Sequence, residues 1–231
     1  MNDELKNLLI NLIELERPDI IKDCCLPIWN QPFFFNIDKS KAITISYSPT
    51  DKGARVNYFD VYEKYKNDNS YLSSEDIFNL LYNFKKEKYW RNNFDKIFSS
   101  LGINEYEISH LDMSSFPYKE DKFRKIFQTN GIDQNYKLTL KVLNLLIEQL
   151  DYILIDGKDN YEIINKYLIN DFDFVSKSEI QINKARTSEI FKYKHKTQKV
   201  ILIYVKTFLY GATCPSSECI NQIIEFIKQN Q

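Results

Sequence analysis

The chain lacks the residue patterns that mark several common kinds of catalytic or metal site. Its cysteines are Cys24, Cys25, Cys214 and Cys219. No two of them have C-x-x-C spacing, which argues against a structural zinc site, and we interpret the adjacent Cys24 and Cys25 as buried thiols of a reducing compartment. Its two histidines, His110 and His195, lie in no pattern typical of a Ser-His-Asp or Cys-His site. We therefore expect no cofactor, and we interpret His110 as a structural residue.

Long apolar runs and an excess of one charge are absent as well. No window approaches the ~18 consecutive apolar residues of a membrane-spanning helix, and the N-terminal stretch lacks the pattern of a secretory signal. With 31 basic and 32 acidic side chains the formal net charge is −1. This balance argues against a surface that binds nucleic acid over its whole extent, although a local basic patch remains compatible with it. The sequence predicts a soluble cytoplasmic protein that does not bind membranes.

What the chain has is enough apolar sequence for one sizeable α/β domain over residues 1–231, since 43% of its residues are hydrophobic and no linker interrupts it. Apolar runs predict strands over 42–47, 106–113, 152–155 and 200–206, with 191–193 as a possible hairpin partner of the last. Helical spacing predicts helices over 3–15, 57–66, 89–101, 136–150 and 161–168, a helix beginning at Ser74, and a closing helix capped by Ser216 or Ser217. This alternation predicts a three-layer sandwich with a small parallel four-stranded sheet flanked by helices.

Each of the four predicted strands runs into a polar turn. The first turn is Ser46-Tyr47-Ser48-Pro49-Thr50, and the others lie at 112–118, 156–158 and 211–216. The carboxyl ends of parallel strands meet at one edge of a sheet, where ligands of open α/β sheets bind. The sequence therefore predicts one crevice lined by these turns.

The order of these turns resembles the motifs of the uracil-DNA glycosylase superfamily. Ser46-Tyr-Ser-Pro49 is similar to its first motif, Leu111-Asp112 to its second, Ile155-Asp-Gly157 to its third and Cys214-Pro-Ser216 to its last. The likeness extends in layout over residues 40–228. It implies a parallel sheet flanked by helices, binding of DNA across the strand ends, extrusion of a nucleotide, and metal-free hydrolysis of its N-glycosidic bond, as in DNA repair.

The resemblance also assigns catalytic positions, and here the chain departs from the family. Ser48 stands where the family has an acidic or amide residue that positions the hydrolytic water, so Asp51 is the candidate to supply the missing charge. Cys214 stands where the family has a histidine that steadies charge on the departing base. A serine or thiol stabilises a charged transition state less well than these groups, since losing one electrostatic donor typically costs ~10²-fold or more.

The candidate base-binding residues follow from the same comparison. An ionised aspartate only accepts hydrogen bonds, so Asp112 in place of an asparagine favours a base with an exocyclic amine over uracil. An alternative is that Asp112 caps the turn that follows it. A flipped base stacks on aromatic rings. The remaining candidates for the pocket are Tyr47, Tyr58 and Phe59 for stacking, and Pro49, Ser114, Gly157 and Ser216 as its walls.

Basic residues are concentrated between 184 and 199. Within this run Lys184, Arg186, Lys194 and Lys196 are candidates for contact with the DNA backbone, although such a run is equally typical of a solvated hairpin. Asp51, Asp112 and Asp156 lack the D-x-D spacing of a nuclease, so we expect no metal.

Two functions remain open from the sequence. The first is a DNA glycosylase-like protein that hydrolyses the N-glycosidic bond of a flipped, non-uracil or modified base. The second is a catalytically silent member of the same fold that binds nucleic acid or a partner protein through the same crevice.

Overall fold

The structure is a computed structural model that describes residues 1–15, 37–46, 75, 92–112, 132–157, 170–207, 209 and 215–229. By its internal contacts the chain forms two compact units, each assembled from separate stretches of sequence. One consists of Met1–Asp38, Ser48–Lys86 and Leu111–Leu145, and the other of Lys39–Tyr47, Glu87–His110 and Leu146–Gln231. The prediction of a single domain over 1–231 stays a prediction.

Six strands form one mixed sheet. They are β1 (Ala42–Ser46), β2 (Ile108–Asp112), β3 (Tyr152–Asp156), β4 (Phe172–Asn183), β5 (Arg186–His195) and β6 (Ile201–Val205). Their order across the sheet is β2-β1-β3-β6-β5-β4. β3 is parallel to both β1 and β6, whereas β5 is antiparallel to β6 and to β4.

The sequence-based expectation of a small, four-stranded parallel sheet is therefore wrong, although the α/β class is correct. The four predicted strands are present as β1, β2, β3 and β6. The difference is a long hairpin, β4 and β5, that extends the sheet beyond β6. The suggested hairpin of 191–193 with 200–206 is confirmed as the β5–β6 pair. In the turn between these strands, Nδ1 of His195 accepts hydrogen bonds from the backbone N–H groups of Thr197 at 3.2 Å and Gln198 at 3.0 Å.

Two of the four α-helices in the described residues pack against this sheet through their apolar faces. The α-helices of the described residues are α1 (Asp3–Leu15), α2 (Asn92–Ser99), α3 (Ile132–Leu146) and α4 (Ser217–Lys228). Apolar residues of α2 and α4 form one buried cluster with alternate residues of the strands, because side chains at every second strand position point to the same face. Ala42, Leu154 and Ile203 are examples of the strand residues, and each is at most 1% exposed.

One charged side chain lies among these apolar residues. Lys192 is on the same face of β5 as Ile190 and is 2% exposed. Its Nζ donates hydrogen bonds to the backbone carbonyls of Ile227 at 2.8 Å and Gln229 at 2.7 Å, at the C-terminal end of α4. Burial lowers the pKa of Lys192 below its usual 10.5. The ammonium group thus satisfies carbonyls that have no partner within the helix.

The other unit is described only in part. The side chain of Asn2 accepts from the N–H groups of Glu4 at 2.7 Å and Leu5 at 3.2 Å, and so caps the start of α1. Leu5 and Leu9 are buried, as the predicted helical spacing requires. No helix within the described ranges is long and apolar enough to cross a membrane.

Several predicted segments lie outside the described residues. They are the helix over 57–66, most of the helix from Ser74, and the helix over 161–168. Where the structure does describe helices, the predictions of 89–101 and 136–150 are confirmed with shifted ends, as α2 and α3. The predicted closing helix is confirmed as α4, and of its two candidate caps, Ser216 and Ser217, the structure shows Ser216 in that role.

Candidate functional site

The parallel strands create a topological switch point between β1 and β3. The strand next to β1 on one side is β2, and on the other side it is β3. β2 is parallel to β1. Lys41 N donates to Glu107 O at 2.8 Å, and three residues further along both segments Thr44 contacts His110, so the two strands run in the same direction. In open α/β sheets ligands bind outside the carboxyl ends of the strands at such a point. Here those ends are Ser46 and Asp156.

The turn that leaves β3 is fixed by its backbone. Gly157 has a φ of 94°, in the left-handed region that glycine adopts without strain. Its N–H donates to the carbonyl of Val205 at 2.9 Å, so the turn stays attached to the end of β6. Gly157, a predicted wall residue of the pocket, therefore has a conformational role, because a residue with a side chain would be strained at this φ.

Asp156, the last residue of β3, is fully buried and holds the chain that follows β6. Its Oδ2 accepts a hydrogen bond from the N–H of Leu209 at 3.0 Å. The carbonyl of Leu209 accepts in turn from Nδ2 of Asn93, in α2, at 2.6 Å. Leu209 is itself fully buried, and these two hydrogen bonds give both of its backbone polar groups a partner. These two side chains anchor the connection from β6 to α4, the segment that carries Cys214 and Ser216.

Ser216 starts α4 and attaches it to the sheet. Its Oγ accepts from the N–H of Cys219 at 3.1 Å, and its own N–H donates to the carbonyl of Ile182 in β4 at 3.1 Å. The serine oxygen is thus a helix cap, and its hydroxyl hydrogen is the donor it can offer to a ligand. Cys219 is buried, and burial raises the pKa of its thiol to about 11. That thiol is unsuited to nucleophilic chemistry.

A buried polar pair lies one step back from the strand ends. Thr44 Oγ1 lies 2.6 Å from Nδ1 of His110, and both residues are at most 2% exposed. Thr44 pairs with Leu154, two residues before Asp156, so strand alternation places Thr44, His110 and Asp156 on the same face of the sheet. The imidazole is held in a structural pair, as the sequence suggested, but the pair lies close behind the switch point.

The basic run of 184–199 is divided between the two ends of the hairpin. Arg186 lies four residues beyond the pairing of Ile190 with Val205, about 13 Å past the carboxyl end of β6 at ~3.3 Å per residue. Lys194 instead pairs with Ile201, the first residue of β6. Along an extended strand, Arg186 and Lys194 are about 27 Å apart. Lys184 and Arg186 are therefore on the side of the switch point, next to the backbone contact of Ser216 with Ile182.

The basic residues at the opposite edge have local partners. Lys196 Nζ donates to the carbonyl of Asn170. Lys199 forms an ion pair of 2.6 Å with Asp151, the residue that precedes β3. Lys194 and Lys196 thus lie at the amino ends of the parallel strands, and the structure does not bring them together with Lys184 and Arg186.

Most of the predicted pocket falls on residues that the structure does not describe. These are Tyr47, Ser48, Pro49, Asp51, Tyr58, Phe59, Ser114 and Cys214. Asp112 ends β2, but only its backbone is described. Among the described residues, no group of three or more histidines, cysteines or acidic residues lies close enough to hold a metal ion.

The sequence reasoning missed two positioning residues, Asn93 and Thr44. Thr44 carried a signal, as a polar residue in an otherwise apolar strand. Asn93 carried none, because an asparagine near the start of a helix is ordinarily solvated.

In comparisons with known proteins, no family model, no curated protein and no solved structure matches this chain.

Proposed function

We propose that the chain is a DNA glycosylase-like protein that binds a flipped base at the carboxyl ends of β1 and β3 and hydrolyses its N-glycosidic bond. The observation that carries the proposal is the switch point, with a buried carboxylate, Asp156, and the left-handed Gly157 at the end of the strand beside it. Both belong to the third of the four turns whose order resembles the glycosylase motifs.

The anchoring of Leu209 supports the same location. A base-binding wall must be held rigidly if it is to orient a substrate, since small misplacements are costly in rate. Asp156 and Asn93 fix the connection after β6 from two elements that are far apart in sequence. The segment so fixed leads to Cys214-Pro-Ser216, the predicted opposite wall.

The charge distribution favours one approach for the nucleic acid. Lys184 and Arg186 are exposed on the end of the hairpin that projects past the carboxyl ends, and Ser216 contacts β4 at the base of this projection. Basic side chains there can meet phosphates while a base enters the switch point. Lys194 and Lys196, at the other edge of the sheet, are poorly placed for the same strand of DNA.

The second candidate is a catalytically silent protein that binds nucleic acid through this edge. It is favoured by the residues at the two chemical positions, since Ser48 and Cys214 offer neither a carboxylate nor an imidazole. Under this alternative the anchored wall and the Lys184–Arg186 projection are a binding surface alone.

An excision assay separates these two functions. Purified protein is incubated with duplex and single-stranded oligonucleotides that contain uracil, hypoxanthine, an alkylated base or a hydroxymethylated base, and abasic sites are detected by alkaline strand cleavage on a gel. The proposal expects cleavage at one of these bases, a fall of about 10²-fold in rate for Asp51→Ala, and a changed base preference for Asp112→Asn. Cleavage at none of the bases contradicts the catalytic proposal.

Binding is measured in parallel by fluorescence anisotropy with two matched double variants. Reversal of charge at Lys184 and Arg186 is expected to weaken binding and to reduce the slope of log affinity against log salt by about one for each phosphate that the variant no longer binds. The same reversal at Lys194 and Lys196 serves as the control and is expected to have a much smaller effect. Salt-dependent binding without excision supports the silent alternative, and absence of both activities rejects both functions.

A further inference from the structure

β4 is the terminal strand of the sheet, and α4 covers its outer edge near its C-terminal end. There the N–H of Gln181 donates to Oε1 of Gln222 in α4 at 2.8 Å, and the carbonyl of Ile182 accepts from Ser216 N at 3.1 Å. Both backbone groups face away from β5, because the register shift between Gln181 and Asn183 interrupts the regular alternation at Ile182. The rest of the edge is longer than the part so covered, since β4 begins at Phe172.

Because the N–H of Gln181 points away from β5, it fixes the direction in which the backbone groups of the preceding residues point. Pairing with β5 shows no register shift between Ser176 and Gln181. The N–H and C=O groups of a strand alternate in direction with each residue, so those of Lys177 and Glu179 also point away from β5. Within the described part of the chain, the backbone N–H and C=O groups of Lys177 and Glu179 have a single hydrogen-bond partner. It is the hydroxyl of Ser178, which donates to the carbonyl of Glu179 at 3.3 Å. An edge that no other strand or helix covers is a template for another strand.

The side chains of this open run are complementary to a reversed copy of themselves. Lys177 and Glu179 are both exposed and lie one on each side of Ser178. If an identical strand pairs antiparallel about Ser178, Lys177 lies directly opposite Glu179 of the partner subunit, and the pairing occurs twice. Opposite charges in directly facing positions stabilise antiparallel pairs, and like charges destabilise them.

We propose that the edge of β4 binds a second copy of this chain by antiparallel pairing of Ser176–Ile180 about a two-fold axis at Ser178. Lys177 is already oriented by its own chain, since its Nζ pairs with Glu189 and lies 5.2 Å from the centre of the Phe191 ring. The symmetric pairing closes after two copies, as isologous interfaces do. The sheets of two subunits then form one continuous sheet.

Exposed apolar side chains lie next to this run. Phe174 is 60% exposed and Val175 is 41% exposed, and both are large hydrophobic residues at the edge of the sheet. The register shift between Phe174 and Ser176 interrupts regular pairing there and confines it to the five residues that follow. A contact this short is at the small end of specific interfaces, so we expect a weak dimer whose fraction rises with protein concentration.

The test is the oligomeric state of the full chain over a wide range of concentration, measured by sedimentation velocity. The wild type is expected to pass from monomer to dimer, with the dimer weakened by added salt. Because the two-fold axis repeats each substitution, Lys177→Glu or Glu179→Lys turns both opposite-charge pairs into like-charge pairs and is expected to raise the dimer Kd about tenfold or more. The double variant K177E/E179K restores opposite charges and is expected to return the Kd to within about threefold of the wild type.

Two controls keep the result decisive. Lys194→Glu makes the same charge change at an exposed position of β5 away from the edge and is expected to leave the Kd unchanged. Lys177→Glu also disturbs the pair with Glu189, whereas Glu179→Lys places a lysine opposite Glu189 in the β4–β5 register and does not weaken the hairpin. A wild type that stays monomeric, or a double variant that dimerises no better than the single variants, overturns the proposal.

Discussion

Replacement of Lys192 by methionine tests whether a buried ammonium group holds the C-terminal end of α4. Methionine keeps an unbranched apolar stem of similar length, so the core of β5 and α4 stays filled. The change removes the donors to the carbonyls of Ile227 and Gln229, which lie 2.8 and 2.7 Å from Nζ. Both carbonyls then have to find water or remain without a partner.

The magnitude follows from two opposing effects. Hydrogen bonds to a charged group contribute about 1.5–3 kcal/mol each to the free energy of unfolding. Against this, an ammonium group loses its hydration on burial, and replacing a buried charge by an apolar side chain recovers part of that cost. We expect a net destabilisation of about 2 kcal/mol. Lys194→Met is the matched control, because Lys194 is exposed two residues along the same strand, and surface substitutions usually stay within about ±0.5 kcal/mol.

The pH dependence gives a second check with a definite sign. Burial lowers the folded-state pKa of Lys192 below 10.5, so between these two values the unfolded chain binds more protons than the folded chain. Stability from this group therefore rises with pH across that window. The gap between the wild type and Lys192→Met is expected to widen as pH rises toward 10.5.

Urea denaturation followed by circular dichroism measures both effects, and hydrogen exchange of the amides at 225–229 reports fraying of α4. A variant as stable as the wild type, with unchanged exchange at the end of α4, would refute the role assigned to Lys192. A gap that narrows with rising pH would refute the physical reason given for it.

Three further predictions concern single side chains. Lys177 and Lys206 hold the pKa of Glu189 at about 2, so its contribution is fully present above its unfolded value near 4.5 and is lost as pH falls toward 2; Glu189→Gln is expected to lower the urea midpoint at pH 6 but not near pH 2. Cys219 is expected to react with iodoacetamide only when the chain unfolds, which peptide mass spectrometry detects, and rapid labelling of native protein would contradict its burial. Asp156→Ala is expected to destabilise by about 1–3 kcal/mol and to accelerate hydrogen exchange at the amide of Leu209, whereas unchanged exchange there would rule out the anchoring role.

The strands that the sequence predicts well are those buried on both faces. β3 and β6 are continuous apolar runs that end in a polar residue or a glycine turn, so local composition is sufficient to identify them. β4 is longer than either, but most of its positions are exposed or half-buried, with Lys177 and Glu179 exposed and Ser176 and Ser178 half-buried. Its strand character comes from pairing with β5, which a local pattern does not reveal.

The candidate site divides in the same way. The turn at Asp156 and Gly157 is predictable from the sequence, since both residues are adjacent to the strand they terminate. The anchoring of Leu209 is not, because Asn93 lies 116 residues away along the chain. Contacts of this kind depend on how helices pack on the sheet, which composition and periodicity do not specify.

The basic run shows why a cluster in sequence need not be a cluster in space. On a helix, residues three or four apart lie on one face, whereas an extended strand separates successive residues by ~3.3 Å and moves charges steadily apart. Because 184–199 folds as a turn, a strand and a second turn, its charges concentrate at the two turns rather than along one surface. Of the exposed charges in this run, Lys184 and Arg186 are then on the side of the switch point. If the proposed nucleic acid binds there, this run contributes direct contacts from one of its two turns, and the charges at the other turn contribute only through the weaker field at a distance.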